Sequence, residues 1–81
     1  MKLLLTEDDP QIGEGLVLGL GGAGFQVDWV QQGEQALVAL RHTPYDLWVL
    51  DLGLPDLDGL EVLRQSQALA ACPATLILSA R

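Results

Sequence analysis

The chain has 81 residues, 49% hydrophobic and 19% charged, with eleven acids against four Lys or Arg and a formal net charge of −7. That composition excludes a disordered chain, which would be poor in apolar residues, and argues against direct nucleic-acid binding by this segment, because phosphate contacts need a basic patch. Cys72 is the only cysteine, so no internal disulfide can form and a reduced, cytoplasmic setting is expected; the apolar part of MKLLLTEDD is too short for a signal-peptide core, and no run reaches transmembrane length.

Residues 2–6 (KLLLT) form a short apolar run closed by Glu7, Asp8 and Asp9, the pattern of a strand covered on both faces. Asp9-Pro10 then signals a helix start, with the carboxylate as cap and Pro in the first turn. Ile12, Leu16, Leu20 and Ala23 follow at helical spacing, although five glycines between Gly13 and Gly22 weaken the helix by roughly 1 kcal/mol each relative to Ala. Gly24 is its expected stop. Residues 25–30 read as a strand with Phe25, Val27 and Trp29 on one face. Residues 32–41 read as a second helix with Ala36, Leu37 and Leu40 inward, closed by Pro44. Residues 45–50 form another buried-strand run ending at Asp51. The turn-rich GLPDLDG segment, residues 53–59, leads to a third helix over 60–71, with Leu60, Leu63 and Ala70 among its inward candidates. Residues 74–79 (ATLILS) read as a fourth strand.

The order β-α-β-α-β-α-β implies an α/β fold, a doubly wound parallel sheet with helices on both faces. In such sheets ligand sites lie beyond the carboxyl ends of the strands. Glu7 and Asp8 follow the first strand, and Asp51 ends the third. If those strands are neighbours, the three carboxylates converge. Like charges brought together are unfavourable unless offset, and a hard divalent cation such as Mg²⁺, with oxygen ligands, offsets them. A carboxylate beside such an ion can attack phosphorus. The bland alternative is that strand-end acids are helix caps or solvated turn residues. That reading is preferred for Asp9, a cap, and for Asp56 and Asp58, turn residues.

LLLTEDDP at 3–10, YDLWVLDLGLPDLDGLEVL at 45–63 and LILSAR at 76–81 stand in an order and spacing that resemble the response-regulator receiver domain. This CheY-like family is matched most closely through the OmpR/PhoB-type two-component transcriptional regulators. The resemblance implies a flavodoxin-like strand order 2-1-3-4. It implies Asp51 as phosphoacceptor, Asp8 as a direct Mg²⁺ ligand, Glu7 acting mostly through a metal-bound water, and the Gly53 carbonyl as a further ligand. Pro55 and Gly59 would shape the following loop. Ser79 would be the switch hydroxyl and Ala80 its small neighbour. The phosphoryl donor would be a sensor histidine kinase or a small molecule such as acetyl phosphate.

The same resemblance implies that residues 1–81 are a partial receiver domain, truncated after the fourth strand. The fifth strand, two helices, a phosphate-pairing lysine and any DNA-binding domain are not in this sequence. Residues 74–79 would then be an apolar, uncharged sheet edge, and such an edge invites pairing with another chain. A homo-oligomer through the fourth strand is therefore expected, with slow phosphorylation or none. The rival reading is a catalytically inert structural fragment or an oligomerising interaction module.

Other motifs weigh less. Gly19 to Gly24 (GLGGAG) matches G-x-G-x-x-G but ends a helix instead of opening one, against the dinucleotide fingerprint. Phosphatases of the haloacid-dehalogenase type need a second Asp two residues after the nucleophile, where this chain has Gly53. His42 reads as a favourable charge at a helix end, Cys72 as a helix-end residue, and Trp29 and Trp48 as packing residues, with Trp48 a possible fluorescent reporter of metal.

Overall fold

Three consecutive leucines, Leu3–Leu5, have no polar side to turn to water, so the strand that contains them must be covered on both faces. The computed structural model describes residues 1–69 and 72–78. Four strands, β1 (Lys2–Thr6), β2 (Gln26–Val30), β3 (Leu47–Asp51) and β4 (Ala74–Leu78), alternate with three helices, α1 (Pro10–Gly22), α2 (Gly33–His42) and α3 (Gly59–Ser66). The sheet is parallel throughout, in the order β2-β1-β3-β4. This is the doubly wound α/β architecture expected from the alternation of elements.

The two faces of the sheet carry separate cores. Leu4, Trp48 and Leu50 meet Ala36, Leu37 and Leu40 of α2 and Val62 of α3 on one side. Leu3, Leu5 and Val49 meet Leu16, Val17 and Leu20 of α1, together with Val27 and Trp29 of β2, on the other. Leu3, Leu4 and Leu5 are all fully buried. Full burial of such a side chain contributes roughly 1.5–3 kcal/mol, so β1 is the strand on which both layers depend.

Helix starts follow local chemistry. The Asp9 carboxylate accepts from Gln11 N at 2.9 Å and from Ile12 N at 3.4 Å, and Pro10 opens α1. Gly24, at φ +100°, takes the left-handed conformation that turns the chain from α1 towards β2. The G-x-G-x-x-G sequence therefore closes a helix. His42 Nδ1 lies 2.8 Å from the Val38 carbonyl in the last turn of α2.

Several expected details differ. The packed face of α1 is Gly13, Leu16, Val17 and Leu20, while Ile12 and Ala23 are exposed. Spacing from Ile12 to Ala23 fits a helix, but the sheet meets the row one position further on. In α3 the packed row is Gly59, Val62, Leu63 and Ser66. Leu60 is 59% exposed, whereas Val62 is fully buried. The helix ends at Ser66, short of the expected 71, and Cys72 lies in the connection to β4 and not at a helix end. Ala70 lies outside the described residues.

The outer edge differs from the interior. Among the described residues β4 pairs with β3 alone, and Leu76 and Ile77 are 56% and 42% exposed. No helix is long and apolar enough to cross a membrane among the described residues.

Candidate metal centre

Strand order decides whether the acids meet. β1 and β3 are neighbours in register, with Thr6 opposite Leu50. Glu7, the next residue after β1, therefore emerges beside Asp51, the last residue of β3. Carboxylate oxygens of Glu7, Asp8 and Asp51 lie within 4.8 Å of one another. The condition set by the sequence, that the first and third strands be adjacent, is met.

The main chain around the cluster is tightly held. Glu7 N donates to Val30 O at 3.1 Å. The Glu7 carbonyl accepts from Trp29 Nε1 at 2.9 Å. A carboxylate oxygen of Glu7 accepts from Asp9 N at 3.2 Å. Asp51 Oδ1 accepts from Gly53 N at 3.2 Å, which turns the acceptor carboxylate towards the loop after β3. On the other face of β1, buried Trp48 donates through Nε1 to Thr6 Oγ1 at 3.0 Å. Gly59 rests on this loop: a Cβ there would stand 2.5 Å from Leu52 Cα and 3.0 Å from the Asp51 carbonyl oxygen. Only glycine allows α3 to start so close to the acid.

Electrostatics follows from the crowding. Glu7 is 2% exposed and Asp51 is 2% exposed. Burial pushes the Glu7 carboxyl from 4.5 up to about 7, the carboxyls of Asp51 and Asp8 push it the same way, and the Asp9 N–H opposes them. The site is thus a cluster of acids that favours either a proton or a cation. Three converging oxygen donors of this kind fit a hard divalent ion such as Mg²⁺.

The remaining acids are not in the cluster. Asp56, expected as a turn residue, reaches 23 positions back to α2, accepting from Gly33 N at 2.8 Å, and from Glu34 N at 3.0 Å. Burial alone would raise its carboxyl, but those N–H groups hold it below the ordinary value. Asp58 accepts from Leu60 N at 3.0 Å and caps α3. Gly53 is exposed in the loop after β3. Leu78 pairs with Asp51 across β3 and β4. Ser79 and Ala80 lie outside the described residues. Thr6 and Trp29 had no site signal in the sequence, because each gains its partner only when strands pair.

A family model described as the response regulator receiver domain matches residues 3–81. The transcriptional regulatory protein QseB of Haemophilus influenzae is 52% identical over 81 residues, covering 100% of this chain and 37% of that protein. The chain thus spans just over a third of the length of such regulators. The receiver domain of a sensor histidine kinase from Pseudomonas aeruginosa PAO1, solved with a magnesium ion coordinated in its active-site cleft, aligns with TM-score 0.92 and 30% identity over 96% of this chain and 66% of that one. A chain from a complex of histidine kinase ThkA with response regulator protein TrrA aligns with TM-score 0.88 and 31% identity, over 96% of this chain and 67% of that one.

Proposed function

This chain belongs to the response regulator receiver domain family, and from that premise we propose that it is the phosphoryl-accepting part of a two-component signalling protein, with Asp51 as the acceptor. The observation that carries this reading is the convergence of Glu7, Asp8 and Asp51 within 4.8 Å at the carboxyl ends of adjacent strands. Residues 1–81 are read as one partial receiver domain of a longer OmpR/PhoB-type regulator. Its partner would be a sensor histidine kinase, as in the ThkA–TrrA complex.

Glu7, Asp8 and Asp51, with the Gly53 carbonyl, would hold Mg²⁺, with Glu7 acting mostly through a bound water. When bound, the ion supplies charge neutralisation for the transferring group. Asp51 performs the transfer: a carboxylate oxygen forms a bond to phosphorus as the P–N bond of a phosphohistidine breaks, its electron pair returning to the imidazole nitrogen. The Gly53 N–H on Oδ1 orients that carboxylate. Ser79 is proposed as the switch hydroxyl that bonds a phosphoryl oxygen. Such a domain is a phosphoryl acceptor and switch, not an enzyme that turns over a substrate.

A second property is proposed for the sheet edge. β4 is uncharged and exposes Leu76 and Ile77, which supports a homo-oligomer formed through this strand.

Intact mass after incubation with Mg²⁺ and acetyl phosphate tests the main reading. The wild-type chain should gain one phosphoryl group, slowly because the phosphate-pairing lysine is not in this sequence, and Asp51→Ala none. No gain by the wild-type chain, still folded, would overturn it and favour an inert fragment.

A further inference from the structure

Glu7 is where β1 delivers its acids to the site, and β2 grips its main chain at both ends. The N–H is held by Val30 O at 3.1 Å and the carbonyl by Trp29 Nε1 at 2.9 Å. The indole reaches that carbonyl by lying across the first turns of α1. A Cβ at Gly13 would stand 2.0 Å from Trp29 Cζ2 and 2.3 Å from Cε2. Gly13 is buried, and a glycine inside a helix costs roughly 1 kcal/mol relative to alanine. The seat for the indole offsets that cost.

From this geometry we infer that Trp29 is a positioning residue for the metal site: its indole N–H, seated on Gly13, fixes the Glu7 peptide so that the Glu7 and Asp8 carboxylates face Asp51. The inference rests on the reading of the acidic cluster as a Mg²⁺ site. When ionised, carboxylates within 4.8 Å of one another repel unless a cation sits between them. The peptide that follows Glu7 is the joint about which Asp8 could swing outward. A donor locked on its carbonyl opposes that swing, so the ligands are arranged before the ion binds. Groups that orient metal ligands in this way typically change affinity by about 10- to 100-fold when removed. The contact is to a backbone carbonyl and not to a ligand atom, so the lower end of that range applies here.

The test is calorimetric titration with Mg²⁺ of the wild-type chain and of Trp29→Phe, Gly13→Ala and Val27→Ala, each verified as folded by circular dichroism. Trp29→Phe keeps a ring and loses the donor, while Gly13→Ala keeps the donor and displaces the ring. Both should bind Mg²⁺ about tenfold more weakly, and the double variant should lose little more than either, because Gly13 acts through the indole. Val27→Ala removes packing from the same face of β2 without touching Glu7. It should lower the melting temperature and leave affinity within about twofold. Equal affinity of wild type and Trp29→Phe would overturn the positioning role and leave the metal site standing. An equal loss in Val27→Ala would reduce Trp29 to a packing residue. No Mg²⁺ binding by the wild-type chain would overturn the metal site, and this inference with it.

Discussion

Replacing Glu7 by Gln should make the fold more stable at neutral pH, and the gain should vanish in acid. Glu7 is buried beside two other carboxyls, and its folded-state value rises from 4.5 to about 7. The folded chain therefore holds this proton more tightly than the unfolded chain. The stabilisation is fully present below pH 4.5 and is lost as pH rises through about 7. At about 1.4 kcal/mol for each tenfold change in proton affinity, the loss is about 3 kcal/mol. That is large against the roughly 5–15 kcal/mol that holds a typical domain together. In a domain of this size it should move the melting temperature by more than about 10 °C. Urea unfolding at a series of pH values, on wild type and Glu7→Gln, isolates the effect from the other titrating groups. The variant should match wild type near pH 4 and exceed it by about 3 kcal/mol near pH 8. Mg²⁺ should restore part of the wild-type stability at pH 8, because the ion takes the place of the proton. A difference between the two chains that stays flat from pH 4 to 8 would refute the argument that burial and like charge raise this carboxyl.

Two further outcomes follow from particular contacts. Thr6→Val removes the acceptor of the buried Trp48 indole N–H and should cost about 1–3 kcal/mol in unfolding free energy, while Thr6→Ser, which keeps the hydroxyl, should lose less. For the sheet edge, sedimentation velocity should show concentration-dependent association of the wild-type chain, and Ile77→Lys, which puts a charge on β4, should abolish it. A wild-type chain that sediments as a monomer at every concentration would remove the homo-oligomer reading.

Much of the fold was legible because the signals are local. Consecutive apolar residues at 3–5 mark a strand covered on both faces, Asp9-Pro10 marks a helix start, and Gly24 marks a helix stop. The faces of the helices were harder. Ile12 and Leu60 have helical spacing to other apolar residues, yet they point to solvent, while Gly13 and Val62 are buried. Periodicity gives the width of an apolar stripe but not which of two adjacent rows meets the sheet. That choice belongs to packing against β1 and β3. The role of Asp56 was out of reach for another reason: its partners lie at Gly33 and Glu34, a separation that no local motif reports.

By itself the sequence determined the alternation of strands and helices, the doubly wound class, and the three acids that end up at strand ends. Each depends on a residue and its near neighbours along the chain. The residue pattern left open whether β1 lies beside β3, which the family resemblance implied; the tertiary structure sets the two side by side and brings Glu7 and Asp8 to within 4.8 Å of Asp51. The tertiary structure alone placed Trp29 on the carbonyl of a residue 22 positions earlier and raised the affinity of Glu7 for its proton. Burial and charge proximity are properties of the assembled sheet, and they come into being only when distant segments pack together.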